Sequence, residues 1–156
     1  MSRSRADATD RAILHALIRD ASATGVAIAE RTGLSRNTVR ARLQHYEDDG
    51  ALLPFEHRIS PRFHGFPLRA FVTTTVVQRE LGTVADMLAA IPEVLEVSGI
   101  AGSADLMIQI VARDTEDLYR VAGAILDIPA VVRTETALVM RDLVPYRAAQ
   151  LLDEQR

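Results

Sequence analysis

Residues 24–50 read TGVAIAERTGLSRNTVRARLQHYEDDG, which holds two helical segments separated by the short turn Gly33-Leu34-Ser35. Each segment follows a Thr or Ser, types that favour helix N-caps, and precedes a Gly, which tolerates the left-handed conformation at a helix end. The pattern predicts helices over Val26–Thr32 and from Arg36 to about Asp49. Two helices joined by a short turn that contains glycine are typical of the helix-turn-helix motif.

The second of these helices has two chemically different faces. Val39, Leu43 and Tyr46 fall in one narrow arc and are predicted to pack inward. The opposite arc carries amide, hydroxyl and basic side chains, and no acidic residue occurs between Arg31 and Glu47. Arg, Asn and Gln match base edges, and flanking Arg suits phosphates, so this face is predicted to contact DNA. A solvated helix surface is the alternative. The predicted contact set on this helix is Ser35, Arg36, Asn37, Thr38, Arg40, Ala41, Arg42, Gln44 and His45.

A further helix is predicted ahead of the motif. Asp7 or Thr9 is placed to cap it. Its apolar residues recur at helical spacing and are predicted to face the core. They are Ile13, Leu14, Leu17 and Ile18.

A proline-rich connection follows the motif, with Pro54, Pro61 and Pro67 close together. Proline cannot donate a backbone hydrogen bond, so an extended connection is expected. Two interpretations stay open. Residues 51–53 and 55–59 pair as a β-ribbon wing that brings His57 or Arg58 to the phosphate backbone, or the segment is a linker. In the linker, Leu53, Phe55 and Ile59 pack against the first helix.

The chain beyond residue 68 repeats one unit. Predicted strand, helix and strand occupy Phe71–Val77, Thr83–Ile91 and Val94–Ser98, then Leu106–Val111, Thr115–Asp127 and Val131–Met140. The motif Ile-Pro-x-Val ends the helix in both copies, at residues 91–94 and 128–131. Two tandem β-α-β units predict a ferredoxin-like βαββαβ domain. The fold class is therefore α+β, with an N-terminal helix-turn-helix.

The ferredoxin-like plan gives the strand order 4-1-3-2. Residues 70–78 and 106–112 carry no charge, as expected of central strands, whereas Glu96, Arg133 and Glu135 fall on the predicted edges. Helices cover only one face, so the other is expected to expose an apolar patch that includes Val72 and Ile108. Homodimerisation through this face is predicted, and a two-fold dimer fits paired DNA half-sites.

The connection between the second and third strands has the composition of a small-ligand loop. It consists of Gly99, Ile100, Ala101, Gly102, Ser103, Ala104 and Asp105. Glycines expose backbone N–H groups that suit a carboxylate, and Asp105 is able to accept from an ammonium. The alternative is a simple hairpin in which Asp105 begins a strand.

Charge and composition exclude several classes of protein. Residues 1–62 hold ten Arg against eight acids, and residues 63–156 hold eight Arg against thirteen acids, so a polyanion is expected to meet the first part. There is no cysteine, which excludes thiolate metal centres, and no cofactor or metal is predicted. No apolar run suits a membrane helix, so a cytoplasmic location is expected.

Predicted domains are 1–53 (DNA binding), 54–67 (wing or linker), 68–142 (effector binding and oligomerisation) and 143–156 (tail).

The chain resembles the Lrp/AsnC family of transcription regulators over nearly its whole length. The resemblance rests on DATDRAIL at residues 7–14, IAERTGLS at 28–35, VSGIAGSAD at 97–105 and VVRTET at 131–136. The spacing of Val39, Leu43, Glu47 and Gly50 adds to it. The family loop commonly reads Gly-Asp-x-Asp where this chain has GSAD at 102–105.

The resemblance implies a winged helix-turn-helix joined to an effector-binding, ACT-like (RAM) domain. It implies dimers that assemble further, to tetramers or octamers, on double-stranded promoter DNA. It also implies an amino acid or related metabolite bound between subunits near Gly99–Asp105, with Thr134 and Thr136 lining the pocket.

Two other classes are weighed against a DNA-binding regulator. Sirohaem decarboxylases resemble this architecture and rely on histidines in the second domain, but no histidine lies within residues 68–156. General acid–base chemistry there would need Asp, Glu or Tyr. No enzymatic activity is therefore predicted. A metabolite-sensing oligomer that does not bind DNA is the second alternative.

Overall fold

The computed structural model describes residues 6–153. The first five and last three residues of the predicted end domains lie outside the described residues. The chain forms two compact units. One comprises the residues up to His57 together with those from Val144 onward, and the other comprises Arg58–Leu143.

Three helices build the first unit, and a short fourth one from the end of the chain belongs to it. They are α1 (Ala8–Arg19), α2 (Gly25–Thr32), α3 (Arg36–Asp48) and α6 (Gln150–Asp153). Thr24 caps α2 and Ser35 caps α3, as predicted. Of the two candidates for the α1 cap, Asp7 holds the position, in a reciprocal capping box with Asp10. Gly33 ends α2 in the left-handed conformation, at φ 71°.

The core of the first unit is small. Its buried apolar side chains are Ile13, Ala16, Ile28, Ala29, Val39 and Tyr46, with Leu14, Leu17 and Leu43 partly buried against them. The inward arc of α3 is thus confirmed. The prediction for Ile18 is wrong, because this side chain is 55% exposed. Ile18 lies about 140° around the helix axis from the fully buried Ile13, at the edge of the apolar arc.

The connection contains no strand between residues 51 and 67, so the predicted β-ribbon wing is wrong. It holds two short 3-10 helices, Phe55–Arg58 and Pro61–His64. The favoured two-residue hairpin turns need a positive φ at one or both central residues, whereas only Pro54, whose ring fixes a negative φ, separates the two segments. The linker alternative expects Leu53, Phe55 and Ile59 to be covered, but Leu53 and Phe55 are more than half exposed and Ile59 is 45% exposed.

The second unit is a four-stranded antiparallel sheet in the order β2-β3-β1-β4, which confirms the predicted order read from its other edge. The strands and helices are β1 (Leu68–Val76), α4 (Leu81–Ala89), β2 (Val94–Gly99), β3 (Leu106–Ala112), α5 (Thr115–Leu126) and β4 (Val131–Leu138). Each boundary falls within about three residues of the predicted one.

The two faces of the sheet differ in character, and the expected apolar patch is wrong. Val72 and Ile108 lie fully buried in the core with residues of α4 and α5. The uncovered face of the central strands instead presents Phe71, Thr73, Thr75, Met107 and Gln109, half-buried or exposed. Threonine has nearly the shape of valine, so an uncharged strand with alternating Val and Thr looks apolar throughout when only charge is considered.

The two copies of Ile-Pro-x-Val differ at the variable position. In the first copy, Glu93 is buried and its carboxylate accepts from Arg120 at 2.5 Å. In the second copy, Ala130 has a φ of 73°, a conformation disfavoured for residues with a Cβ. The repeated motif therefore ends the two helices with different backbone geometry.

Candidate nucleic-acid interface and ligand pocket

The N-terminal half of α3 forms the accessible part of the predicted interface. Arg36, Asn37, Arg40 and Ala41 are exposed, and among the described residues no side-chain hydrogen bond or ion pair is seen for the first three. The Ser35 hydroxyl is used as the helix cap, where it accepts from the Thr38 backbone N–H at 3.0 Å. This half of α3 therefore offers uncommitted guanidinium and amide groups.

The C-terminal half of α3 is already paired. The Gln44 amide donates to Asp48 at 3.2 Å, and His45 lies 3.3 Å from the Asp49 carboxylate. Both contacts join exposed residues one helical turn apart, so they stabilise the helix only weakly. Gln44 and His45 can exchange these partners for others without loss of a buried contact.

Arg42 points away from the exposed face of α3. Its two terminal nitrogens donate to Asp10 and to Asp7, each at 2.8 Å, and its side chain is 34% exposed. Its guanidinium is held at the start of α1, which disfavours the predicted contact of Arg42 with DNA. A helical wheel puts Arg42 on the flank of α3 but does not show which neighbouring element the flank meets.

Asp10 is the centre of this polar cluster. Its side chain is almost fully buried and accepts from Arg42, from the Tyr46 hydroxyl at 2.7 Å and from the Asp7 backbone N–H at 2.9 Å. A buried carboxylate needs such donors. Burial of Tyr46, together with its bond to Asp10, raises the pKa of its hydroxyl, which stays protonated as the donor. The bond to the Asp10 backbone N–H and the Arg42 guanidinium lower the pKa of Asp7.

Arg58 does not lie on a wing. It ends the 3-10 helix Phe55–Arg58 and is exposed. The β-ribbon that would have carried His57 and Arg58 to the phosphate backbone is not formed, so the reason for including Arg58 in the contact set is lost.

The loop between β2 and β3 is a hairpin that Asp105 anchors. The Asp105 carboxylate accepts from the Val76 backbone N–H at 2.9 Å and from the Gln78 amide at 2.5 Å. Its own N–H donates to the Thr74 carbonyl at 3.0 Å. The structure therefore favours the hairpin alternative for Asp105, whose oxygens are bound to the end of β1 and not directed to a ligand.

A shallow depression lies on the uncovered face of the sheet, beside this loop. It is open to solvent and is lined by Thr73, Thr75, Ser103, Ala104, Arg133 and Glu135. Of the seven loop residues predicted to bind an effector, only Ser103 and Ala104 line it. Gly99, Ile100, Ala101 and Gly102 do not.

Thr134 and Thr136 lie on the wrong face of β4 for this depression. They pair with Thr74 and Val72, both fully buried beneath the helices. Arg133 and Glu135 pair with Thr75 and Thr73 and so share the uncovered face. Neighbouring strand residues point to opposite faces, which makes a shift of one residue decisive. The buried Val72-x-Thr74 alternation was the signal that could have identified Thr73 and Thr75.

The depression has the chemistry of a site for a small zwitterion. Arg133 and Glu135 form an ion pair with each other, and both side chains are well exposed. An exposed pair of this kind is weak and exchanges partners easily. The hydroxyls of Thr73, Thr75 and Ser103 add neutral hydrogen-bonding groups.

The described residues form neither a metal-binding cluster nor a membrane-spanning helix. Within residues 6–153 no group of three or more His, Asp or Glu side chains is arranged to hold a metal ion. None of the helices in the same range is sufficiently long and apolar to span a bilayer.

Two family models match the chain. Residues 7–47 match the AsnC-type helix-turn-helix domain, and residues 69–149 match the Lrp/AsnC ligand binding domain. The HTH-type transcriptional regulator FL11 of Pyrococcus horikoshii is 30% identical over 135 residues, which are 86% of this chain and 89% of that protein.

Solved structures show the same architecture. AsnC of E. coli aligns with a TM-score of 0.81 over 94% of this chain and 99% of its own, at 22% identity. A feast or famine regulatory protein of M. tuberculosis, complexed with L-methionine, aligns with a TM-score of 0.79 at 26% identity, over 92% of this chain and 98% of its own.

Proposed function

The chain belongs to the Lrp/AsnC family of helix-turn-helix transcriptional regulators, and we propose that it reads DNA with the exposed N-terminal half of α3. The observation that carries this proposal is the pair of uncommitted Asn37 and Arg40 side chains on one exposed helix face, with Arg36 on its flank, where it suits a phosphate. Arg and Asn form paired hydrogen bonds to guanine and adenine edges in the major groove. Ala41 leaves room for close approach to the bases.

The remaining members of the proposed contact set have supporting roles. Ser35 and Thr38 stand at the helix N-terminus, where hydroxyls and backbone N–H groups suit phosphate oxygens. Gln44 and His45 reach DNA by exchanging their exposed partners Asp48 and Asp49. We propose residues 1–53 as the DNA-binding domain, 54–67 as a linker, 68–142 as the effector and assembly domain, and 143–156 as a tail.

The DNA proposal is tested with the duplex that the wild-type protein selects from a random-sequence library. Arg40→Ala is expected to weaken binding to that duplex by about 1–3 kcal/mol, because it removes one paired contact to a base. Arg79→Ala is the matched control, since Arg79 is highly exposed in the other unit. Wild-type affinity is expected to fall steeply with salt. Flat salt dependence, or an equal effect of the two substitutions, contradicts the proposal.

We further propose that the depression beside the β2–β3 loop binds an amino acid or a related small metabolite. Arg133 would take the carboxylate and Glu135 the ammonium, with Ser103, Thr73 and Thr75 as neutral partners. The methionine complex of the M. tuberculosis relative supports this class of ligand. Calorimetric titration with the standard amino acids is expected to find a binder whose heat is lost in Arg133→Ala and kept in Arg79→Ala. Equal binding to both variants contradicts this site.

We also propose that the chain assembles as a homodimer, and further to a tetramer or octamer, through the uncovered sheet face. The centre of this face carries Phe71 and Met107 among uncharged polar groups. A two-fold dimer presents two α3 helices to paired half-sites. Met107→Asp is expected to lower the mass measured by light scattering, and an unchanged mass contradicts this face as the interface.

We propose that the protein acts in the cytoplasm as a regulator without enzymatic activity. No histidine lies within residues 68–156, whereas the sirohaem decarboxylases that resemble this architecture rely on histidines in the second domain. A titration with sirohaem is expected to leave the absorption spectrum of the sirohaem unchanged. A saturable spectral shift contradicts the proposal.

A further inference from the structure

We propose that Arg42 is a positioning residue of the DNA-reading helix, whose guanidinium bridges Asp7 and Asp10 and thereby sets the rotation of α3 about its own axis. This inference rests on the proposed function, because it assumes that α3 reads DNA. It replaces the interpretation of Arg42 as a phosphate contact. The residues that carry it are Arg42, Asp7, Asp10 and Tyr46, which we call the α1–α3 clamp.

The clamp joins residues that are far apart in sequence. Asp7 and Asp10 begin α1, whereas Arg42 and Tyr46 lie one turn apart on α3. One guanidinium nitrogen donates to each carboxylate at 2.8 Å, and the Tyr46 hydroxyl donates to Asp10 at 2.7 Å. Three hydrogen bonds thus connect one side of α3 to the first turn of α1.

The clamp side and the reading side of α3 are nearly opposite each other. Successive residues of a helix are turned by about 100°, so Arg40 and Arg42 differ by about 200° around the axis. A rotation of α3 that broke the clamp would turn Asn37 and Arg40 away from the direction in which they now point. Base contacts tolerate little displacement, because paired hydrogen bonds need both distance and angle.

The chemistry of the clamp requires arginine. Its planar fork directs two nitrogens at two separate carboxylates, whereas a lysine ammonium is a single point charge at the end of a flexible chain. Asp10 is buried and also accepts from the Asp7 backbone N–H within the capping box. The same two carboxylates therefore start α1 and hold α3.

A positioning residue and a phosphate contact predict different effects of salt. Each phosphate contact contributes a slope of about −0.9 to the dependence of log affinity on log salt. If Arg42 acts through the clamp, its removal weakens binding to the selected duplex and leaves that slope unchanged. If it contacts phosphate, its removal lowers the slope by about one contact and weakens binding to every sequence.

Asp7 gives a second test, in which the clamp and net charge predict opposite changes in DNA affinity. Asp7→Asn removes a negative charge from a DNA-binding unit, so charge alone predicts tighter binding. Asparagine remains a good N-cap, and α1 therefore keeps its start. The clamp predicts weaker binding to the selected duplex, because Arg42 loses one of its two anionic partners.

The experiment uses the full chain and measures affinity for the selected duplex and for a random-sequence duplex of equal length, over a range of salt. Arg42→Ala and Arg42→Lys are expected to lose about tenfold in affinity for the selected duplex at constant slope, and Asp7→Asn a smaller factor. Arg36→Ala, on the exposed flank of the same helix, is the control expected to lower the slope. Circular dichroism checks that each variant is folded.

The outcomes separate the clamp from the DNA proposal. Constant slope with a loss confined to the selected duplex supports the clamp. A lower slope in Arg42→Ala, tighter binding by Asp7→Asn, or wild-type affinity in Arg42→Lys overturns it. If Arg42→Ala does not fold, the affinities of Arg42→Lys and Asp7→Asn still test the clamp. Failure of the wild-type protein to select any duplex overturns the DNA proposal itself, and with it the clamp.

Discussion

The first unit, here called the helical unit, and the second, here called the sheet unit, are each stabilised internally by different interactions. Among the described residues, the buried apolar cluster of the helical unit has six members, two of them alanines, whereas that of the sheet unit has eleven. The helical unit adds the α1–α3 clamp, centred on a buried carboxylate. A small core buries little apolar area, so directional polar contacts set more of its geometry. The sheet unit also contains an ion pair with a buried carboxylate, Glu93 with Arg120, but beside a larger apolar core. The helical unit, which carries the helix proposed to read DNA, therefore depends more on its polar contacts.

The largest contrast is expected from an acid placed in the sheet core. Ile108→Asp puts an unpaired carboxylate among fully buried side chains and is expected to lower the free energy of unfolding by more than about 4 kcal/mol. Tyr119→Asp, on the exposed side of α5, is expected to change it by less than about 0.5 kcal/mol. Urea unfolding checks both. A mild effect of Ile108→Asp contradicts the assignment of Ile108 to the covered face.

In the helical unit, a smaller change should have a clear effect on stability. Tyr46→Phe removes only the hydroxyl that donates to Asp10 and is expected to destabilise this unit by about 1–3 kcal/mol, because a buried carboxylate loses a donor. Tyr146→Phe is the matched control, as Tyr146 is highly exposed. Amide hydrogen exchange resolves the units, and faster exchange confined to α1 and α3 is the expected result. Unchanged exchange in α3 contradicts the role of the clamp.

A substitution that relieves backbone strain is expected to raise the stability of the sheet unit, whereas the substitutions above lower stability. Ala130→Gly is expected to stabilise the sheet unit by about 0.5–1 kcal/mol, because glycine adopts a φ of 73° without the steric penalty of a Cβ. Ala122→Gly, within α5, is expected to destabilise it by a similar amount, since glycine disfavours helix. Thermal unfolding measures both signs. Equal signs for the two substitutions contradict the strained conformation of Ala130.

The smallest effect is expected from acid, and it should be specific to each unit. The pKa of Asp7 is lowered in the folded helical unit, so its contribution to stability is complete above the ordinary carboxyl pKa and is lost as the pH falls below about 4. Asp7→Asn is expected to flatten this part of the stability profile in the helical unit alone. Asp117, whose pKa the Arg113 backbone N–H and Arg120 lower, is its counterpart in the sheet unit. NMR-monitored urea unfolding at several pH values distinguishes the two.

Local patterns predicted the elements of both units well. The caps at Thr24 and Ser35 and the left-handed Gly33 lie where the sequence indicates, because capping joins residues two or three positions apart. The repeated Ile-Pro-x-Val motif likewise led to the strand order of the sheet. The β-ribbon predicted in the connection was wrong, because a ribbon depends on pairing between two segments and not on near neighbours alone. Pro54 by itself cannot form the turn that such pairing needs.

The positions of some site residues were predicted correctly from the sequence, whereas the partners of others were not. The exposed position of Asn37 and Arg40 follows from the helical period, and their contact with DNA stays a prediction. Asp105, by contrast, has the residue type that suits an ammonium ligand, yet its oxygens bind the end of β1. Residue type states what a side chain is able to bind, and the neighbouring elements decide what it does bind.

The sequence by itself determined the bounds of most helices and strands to within about three residues and the amide-and-arginine face of α3, because these depend on the spacing of near neighbours. It indicated the order of the strands through the repeated β-α-β unit, which is typical of one sheet plan. Only the tertiary structure decided that Arg42 meets Asp7 and Asp10, 35 and 32 residues away, and that Arg133 and Glu135 face the depression beside the loop. Long-range partners depend on which surfaces meet. The face of an edge strand depends on its register with the neighbouring strand, and a shift of one residue reverses it.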